Sequence, residues 1–175
     1  MASRNISDLV PIMQEKAAII MSGCEDAGFE LLIYCTYRSL EEQAKLFRQG
    51  RIYDEIKAKM DRLKKLGFDF LADIIENVGP QHENKKVTYA GPGESWHNFR
   101  EAFDAVPVVS GKALWNDSQK YDIYGQLVVQ SGLDWGGAWS KLKDKPHAQL
   151  RFGVNPLKVY SPDQVKEFMK NNNVN

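Results

Sequence analysis

The sequence predicts a soluble domain that combines α-helices with short β-strands. In residues 6–27 the apolar positions recur at steps of three and four, which is typical of one face of a helix that ends at Gly28. Residues 29–37 are apolar and rich in aromatic side chains, which favours a strand buried on both faces. A length of 175 residues is enough to bury a core without disulfides or a partner, so we expect one domain over residues 1–175.

A helix, and then a helical segment, are predicted next along the chain. Ser39 is followed three residues later by Glu42, a pattern that resembles a capping box at the start of a helix. Residues 51–86 are charged and helical in pattern, with a break at Gly67 and an end at Gly79. We expect a helical hairpin inserted into the fold there. It is either a plain surface insertion or a wall over a substrate groove.

The second half of the chain is predicted to hold short strands and two further helices. The predicted strands are residues 87–89, 102–109 and 113–115. The predicted helices are residues 118–131 and a terminal helix capped by Ser161, with Pro162 in its first position. Residues 171–175 are expected to fray.

Charge and hydropathy exclude several classes of partner. Lys and Arg number 23, as do Asp and Glu, so no net positive field attracts nucleic acid or an anionic membrane. No stretch approaches the roughly 20 apolar residues of a membrane helix. The amino-terminal residues lack the apolar core of a signal peptide, and we therefore expect export, if any, to use another route.

The two cysteines, Cys24 and Cys35, are too few for a disulfide scaffold and are not spaced as a metal knuckle. Unpaired cysteines are commonly buried in a protein core. We expect two buried, reduced thiols, although a bridge between the two remains open from the sequence.

Asp104 lies within an apolar predicted strand, where it is the only charged residue from Ala102 to Val109. Burying a lone carboxylate is costly, so a positive group should face it. An arginine is one such partner, and a divalent cation shared with His97 is the other. The strand alone leaves both open.

A second segment, Asp144-Lys145-Pro146-His147, adds another acid and another imidazole. Two imidazoles and one carboxylate would make a three-ligand zinc site with an open fourth position, as in hydrolytic zinc enzymes. His97, Asp104 and His147 are the candidate ligands, and Asp144 is then left for proton transfer. These spacings also arise by chance, so purely structural histidines remain an alternative. His82 has no motif around it and is expected in a surface loop.

The residues around these positions resemble a family of zinc peptidases. The family comprises D-alanyl-D-alanine carboxypeptidases and the L-alanyl-D-glutamate endopeptidases used as bacteriophage endolysins (peptidase family M15). Its first motif, S-x-H-x-x-G-x-A-x-D, is similar to Ser95, His97, Ala102 and Asp104. Arg100 stands where the motif has glycine, and arginine is poor at positive φ.

Two further motifs extend the resemblance. Trp139, Asp144, Pro146 and His147 fit the D-x-P-H motif that follows a tryptophan in the endolysin-like branch. Tyr37-Arg38-Ser39, with Gln43 on the next helix, resembles the family's strand-to-helix junction. The resemblance implies an α+β fold in which a small antiparallel sheet carries the zinc site and helices pack on one side.

The resemblance also implies roles for individual residues. Zinc would be held by His97, Asp104 and His147, with Asp144 as catalytic base and Arg38 as the donor to the carbonyl oxygen. The implied substrate-binding residues are Ser95, Gln43, Tyr37 and Trp139. Plainer roles are also open for these residues: a salt bridge for Arg38, a helix-surface amide for Gln43, a loop cap for Ser95 and a core position for Trp139.

The activity implied by the resemblance is hydrolysis of the L-Ala–D-Glu bond in the stem peptide of peptidoglycan. One rival keeps the site but removes the terminal D-alanine residues, and another is a zinc-bearing module that binds cell wall without cutting it. We expect a monomeric phage lysis protein that is made in the host cytoplasm and released to the cell wall by a pore-forming partner.

Overall fold

The computed structural model describes residues 2–82 and 85–172, which form two compact units. The sheet unit contains Ala2–Tyr37 and Arg100–Gly153, and the helical unit contains the described residues within Arg38–Phe99 and residues 154–172. The single catalytic domain over residues 1–175 stays a prediction. No helix among the described residues is long and apolar enough to cross a membrane.

The described residues form six α-helices and five short β-strands. The helices are α1 (Pro11–Asp26), α2 (Leu40–Arg48), α3 (Tyr53–Lys65), α4 (Asp69–Asn77), α5 (Ser118–Gln130) and α6 (Pro162–Asn172). The strands are β1 (Glu30–Cys35), β2 (Ala102–Val109), β3 (Lys112–Ala113), β4 (Asp134–Trp135) and β5 (His147–Gln149). The predicted fraying of residues 171–175 falls partly outside the described residues, and α6 continues to Asn172.

The sheet unit is built on an antiparallel sheet in the order β1-β2-β5-β4, with β3 paired to β2. The register places Asp104 of β2 opposite His147 of β5 and also opposite Cys35 of β1. A bulge between Ile33 and Cys35 interrupts the β1–β2 ladder just before that position. The predicted α+β class is confirmed, because helices accompany a small antiparallel sheet.

The core of the sheet unit joins α1 and α5 to β1 and β2. Its members are buried apolar side chains, among them Met13, Ala17, Ile20, Phe103, Tyr124 and Val128. Burying a side chain of the size of Ile or Phe stabilises a fold by about 1.5–3 kcal/mol. This packing fixes β2, and with it the position of Asp104.

The prediction that β1 is buried on both faces is wrong. Burial alternates along the strand, since Leu31 and Ile33 are buried while Leu32 is 50% exposed. This alternation is typical of a strand whose side chains meet the core on one face. The strand that is buried along nearly its whole length is β2.

The helical unit begins with the predicted cap. The Ser39 hydroxyl accepts a hydrogen bond from the Glu42 backbone N–H over 3.1 Å, which satisfies one of the open donors at the start of α2. The predicted helical pattern is confirmed by α3 and α4, whose apolar faces are buried at Met60, Leu63, Leu71 and Ile75. Whether this hairpin is an insertion stays a prediction.

The predicted strand at residues 87–89 is wrong. The Thr88 carbonyl accepts a hydrogen bond from the Arg51 guanidinium over 2.5 Å, and the Thr88 hydroxyl accepts one from the Ala90 N–H over 3.1 Å. These local bonds occupy groups that a sheet ladder would use. The strand predicted at residues 113–115 is shifted, since β3 ends at Ala113 and Trp115 instead packs its ring 5.2 Å from that of Tyr34.

Candidate metal centre

Strand pairing brings Asp104 and His147 into contact in the sheet unit. They are opposite each other in the β2–β5 ladder, and His147 Nδ1 lies 3.0 Å from Asp104 Oδ1. Both residues are buried, at 9% exposure for Asp104 and 7% for His147. Residues that are 43 positions apart in sequence therefore form one buried imidazole–carboxylate pair.

Asp144 adds an exposed carboxylate beside this pair. One of its oxygens lies within 4.8 Å of ligand atoms of both Asp104 and His147. A tight turn sets its position, because the Asp144 N–H donates to the Gly136 carbonyl over 2.9 Å and the Asp144 carbonyl accepts from the His147 N–H over 3.1 Å. The turn presents an acid at the solvent side of the buried pair.

A chain of hydrogen bonds holds the opposite edge of the His147 ring, at Nε2. His147 Nε2 lies 3.0 Å from Gln149 Oε1, and the Gln149 amide nitrogen donates to Asp134 over 3.2 Å. Trp139 donates its indole N–H to the same Asp134 carboxylate over 3.0 Å, and its ring centroid lies 5.2 Å from that of His147. Trp139 thus contacts the candidate ligand directly.

Sequence reasoning missed Asp134 and Gln149. The available signal was alternation in β5, since residues two apart in a strand share a face and Gln149 follows His147 by two. No local sequence pattern indicates a role for Asp134. The register of the β4–β5 pair places it opposite Gln149.

The cysteines are buried and not joined by a disulfide, as predicted. Sequence reasoning did not place Cys35 near the candidate site. It lies opposite Asp104 in the β1–β2 ladder, with its sulfur within 4.8 Å of an Asp104 carboxylate oxygen. A thiol therefore faces the buried carboxylate from the neighbouring strand.

His97 belongs to the helical unit, where it is buried in the 3₁₀ turn Trp96–Phe99. Its carbonyl accepts a hydrogen bond from the Arg38 N–H over 3.2 Å, and the Asn98 amide donates to the Arg38 carbonyl over 2.8 Å. The Ser95 carbonyl accepts the Asn98 N–H over 3.0 Å, which closes the turn. The His97 segment is thereby joined to the chain that leads into α2.

Arg38 and Gln43 are in direct contact in the helical unit. Arg38 Nη1 donates to Gln43 Oε1 over 2.9 Å, and Gln43 Nε2 donates to the Ala90 carbonyl over 2.8 Å. Gln43 is 0% exposed, so the alternative of a helix-surface amide is wrong. Its amide instead holds the guanidinium of Arg38.

Arg100 keeps the backbone that a glycine would adopt at this place in the motif. Its φ is 62°, in the left-handed region, where a residue with a Cβ is strained by about 1–2 kcal/mol. Its carbonyl accepts the Val10 N–H over 3.1 Å, and its guanidinium carbon lies 4.9 Å from the centre of the Tyr37 ring. The turn is therefore retained with the larger residue.

Negative charge dominates the candidate site. Burial, together with the nearby Asp144 and Asp104 carboxylates, raises the pKa of Tyr121 to about 12. Burial and the same two carboxylates also raise the pKa of Tyr34. These phenols stay protonated at neutral pH, so the charge that a cation would meet comes from the two aspartates.

The donor set fits zinc. One imidazole nitrogen and two carboxylates converge in the sheet unit, and zinc takes nitrogen and oxygen ligands of these types. Imidazole and carboxylate together suit zinc better than calcium or magnesium, which prefer oxygen alone.

Comparison with known proteins supports the resemblance seen in the motifs. Residues 89–150 match the family described as D-alanyl-D-alanine carboxypeptidase. The resemblance predicted from the motifs is confirmed, and so is the predicted enzyme class, a peptidase of this metallopeptidase type.

Two particular proteins are similar to the chain. It is 28% identical over 153 residues to the peptidoglycan L-alanyl-D-glutamate endopeptidase CwlK of Bacillus subtilis, across 82% of this chain and 74% of that protein. The crystal structure of the L-Ala D-Glu endopeptidase ChiX of Serratia marcescens aligns with a TM-score of 0.45 at 18% identity, covering 87% of this chain and 90% of that one.

Proposed function

We propose that the chain is a zinc-dependent endopeptidase that hydrolyses the L-Ala–D-Glu bond in the stem peptide of peptidoglycan. The observation that carries this proposal is the buried Asp104–His147 pair with the exposed acid Asp144 beside it. The similarity to CwlK, whose name gives that bond, supports the choice of substrate. The acid of the second motif, an aspartate in the endolysin-like branch, supports it as well.

Asp104, His147 and His97 would hold the metal. The β2–β5 register makes Asp104 and His147 neighbours, which supports this role, and His97 precedes Asp104 by seven residues in the family's first motif. When bound, zinc would activate water at neutral pH and polarise a carbonyl as a Lewis acid.

Asp144 is the proposed general base. It accepts a proton from the water that attacks the peptide carbonyl carbon, and it returns that proton to the amine nitrogen as the C–N bond breaks. Its exposure allows a substrate and a water to reach it. Its place in a turn closed on both sides by backbone hydrogen bonds keeps the carboxylate near the metal ligands.

Arg38 is the proposed donor to the carbonyl oxygen as negative charge develops there. The Gln43 amide positions its guanidinium and is itself held by the Ala90 carbonyl. Ser95, Tyr37 and Trp139, together with Gln43, are proposed to contact the stem peptide. For Gln43 and Trp139 the contact would be partly indirect, since their polar groups already bind Arg38 and Asp134.

Defined muropeptides distinguish this activity from its rivals. Zinc-loaded protein is expected to release L-alanine-terminated products and to expose a new amino group on D-glutamate, which mass spectrometry and amine labelling detect. Loss of one alanine or of a dipeptide would instead indicate the carboxypeptidase suggested by the description of the matching family. Binding to cell wall without any product would indicate a non-catalytic module.

We further propose a role in phage lysis, as a monomer that reaches the wall from the host cytoplasm through a pore-forming partner. The endolysin-like second motif at Asp144 supports this setting. Bacteria that express the chain should lyse only when a membrane pore is supplied as well. Light scattering on the purified protein tests for the monomer, and lysis without a pore would contradict the proposed route.

A further inference from the structure

We propose that Gln149 and Asp134 fix the tautomer of His147, so that Nδ1 is the nitrogen presented to the metal. Gln149 is a positioning residue in this view, acting through the imidazole. The inference rests on the proposed function, because the tautomer of His147 matters only if zinc binds there. The assignment of donors and acceptors in the hydrogen bonds does not depend on zinc.

The orientation of the Gln149 amide follows from its neighbours. Its nitrogen lies 3.2 Å from Asp134 Oδ2 and also contacts the Arg151 carbonyl oxygen. Asp134 is itself an acceptor here, since Trp139 donates to one oxygen and the Gly153 N–H to the other over 3.2 Å. A flipped amide would place its own oxygen against two acceptors and lose two hydrogen bonds. The Gln149 oxygen must therefore point to His147.

The tautomer of His147 follows from that orientation. Gln149 Oε1 can only accept, so the ring nitrogen 3.0 Å away, Nε2, carries the hydrogen. In the neutral imidazole the lone pair is then on Nδ1, which lies 3.0 Å from Asp104 Oδ1. Two acceptors at this distance repel each other unless a proton or a metal cation lies between or beside them. The chain of bonds thus directs the lone pair of His147 to the place where a metal would be held.

Burial makes this arrangement effective. Gln149 and Asp134 are both buried, so water competes little for their hydrogen bonds. Partners that orient a metal-binding histidine typically change metal affinity by about 10- to 100-fold when they are removed. The Trp139 ring, packed against His147, further limits rotation of the imidazole.

Two substitutions of Gln149 distinguish its role as a hydrogen-bond acceptor from its role in packing. Gln149→Met removes both the acceptor that faces His147 and the donor that faces Asp134. Gln149→Glu keeps the acceptor, and its second carboxyl oxygen, which would meet the Asp134 carboxylate, must carry a hydrogen that it donates there. The exposed Gln130→Met is the control for the substitution itself. Each full-length variant is compared at pH 8, zinc-free and zinc-loaded, after circular dichroism has established its fold.

Long-range ¹H–¹⁵N correlation of the histidine rings reports the tautomer directly, and chelator competition reports zinc affinity. We expect an Nε2–H tautomer for His147 in the parent and in Gln149→Glu. Gln149→Met should give a mixture of tautomers and about 10- to 100-fold weaker zinc binding. Gln130→Met should match the parent in both readouts.

An Nδ1–H tautomer in the parent, or an unchanged tautomer in Gln149→Met, would overturn the inference. If Gln149→Met does not fold, the parent and Gln149→Glu still decide, because an Nδ1–H signal in either refutes it. Failure of the proposed function looks different. The parent would then show the Nε2–H tautomer but bind no zinc or release no product.

Discussion

The backbone of Gly136 is packed so closely on Asp144 that a Cβ at residue 136 would lie 2.4 Å from the Asp144 carbonyl oxygen. The same carbonyl accepts the His147 N–H, and the Gly136 carbonyl accepts the Asp144 N–H. A single glycine therefore sets the distance between the proposed base and a proposed metal ligand.

Gly136→Ala should lower kcat while leaving most of the fold intact, because the turn that carries Asp144 must move to admit the methyl group. Misplacing a catalytic group by about 1 Å can cost roughly 100-fold in rate. Steady-state kinetics on a defined muropeptide measure the loss. Gly23→Ala is the control, since the atoms that its Cβ would meet belong to the flexible end of Leu127. Equal kcat in the Gly136 variant and the parent would contradict the proposed position of the base.

Removal of the metal should abolish hydrolysis, and zinc should restore it, because a bound zinc would supply the activated water. His147→Ala should lose both zinc and activity. The exposed His82→Ala should retain both, since His82 lies outside the site. Elemental analysis and product release are measured on the same samples. Full activity in a sample free of metal would refute zinc dependence.

Asp144→Asn should lower kcat by about 100- to 10,000-fold, as expected for loss of a general base. Zinc content should remain close to one ion per chain if Asp144 acts on protons alone. Its carboxylate lies within 4.8 Å of ligand atoms of Asp104 and His147, so a metal role is the competing explanation. A parallel loss of zinc and of activity would assign Asp144 to the ligands.

Cys24 should be unreactive in the folded protein, because burial raises the pKa of its thiol from 9.0 to about 12. The folded state favours the protonated thiol, so this contribution to stability is complete below pH 9 and is lost as the pH rises toward 12. Iodoacetamide at pH 8 should leave Cys24 unlabelled until urea unfolds the chain.

The pH dependence gives a second measurement at the same residue. Between pH 9 and 11 the free energy of unfolding should fall more steeply in the parent than in Cys24→Ala. Identical slopes in the two proteins would show that the thiol makes no such contribution.

Local patterns predicted the helices of this chain well, and the sheet less well. The spacing of apolar residues in α1 and α3 and the cap at Ser39 depend on near neighbours, which the sequence displays. The alternating burial of β1 depends on what covers each face, and the absence of a strand at Thr88 depends on a distant arginine.

The candidate site shows the same division. Its titratable residues could be predicted because motifs similar to a known family mark His97, Asp104, Asp144 and His147. The contact between Asp104 and His147 depends on the register of β2 and β5, which no local sequence pattern predicts. Gln149 and Asp134 could not be predicted, because their role in holding His147 depends on hydrogen-bond partners that only the fold brings together.

The amide of Gln43 has consequences for engineering. Its oxygen binds Arg38 and its nitrogen binds the carbonyl of Ala90, so a residue deep in one helix ties the guanidinium to the loop that leads toward Ser95. Grafting that loop from another enzyme to retarget the chain toward a different cell wall would change how Arg38 is aimed. A successful graft must keep a carbonyl at position 90 within reach of the amide, whatever side chains it brings.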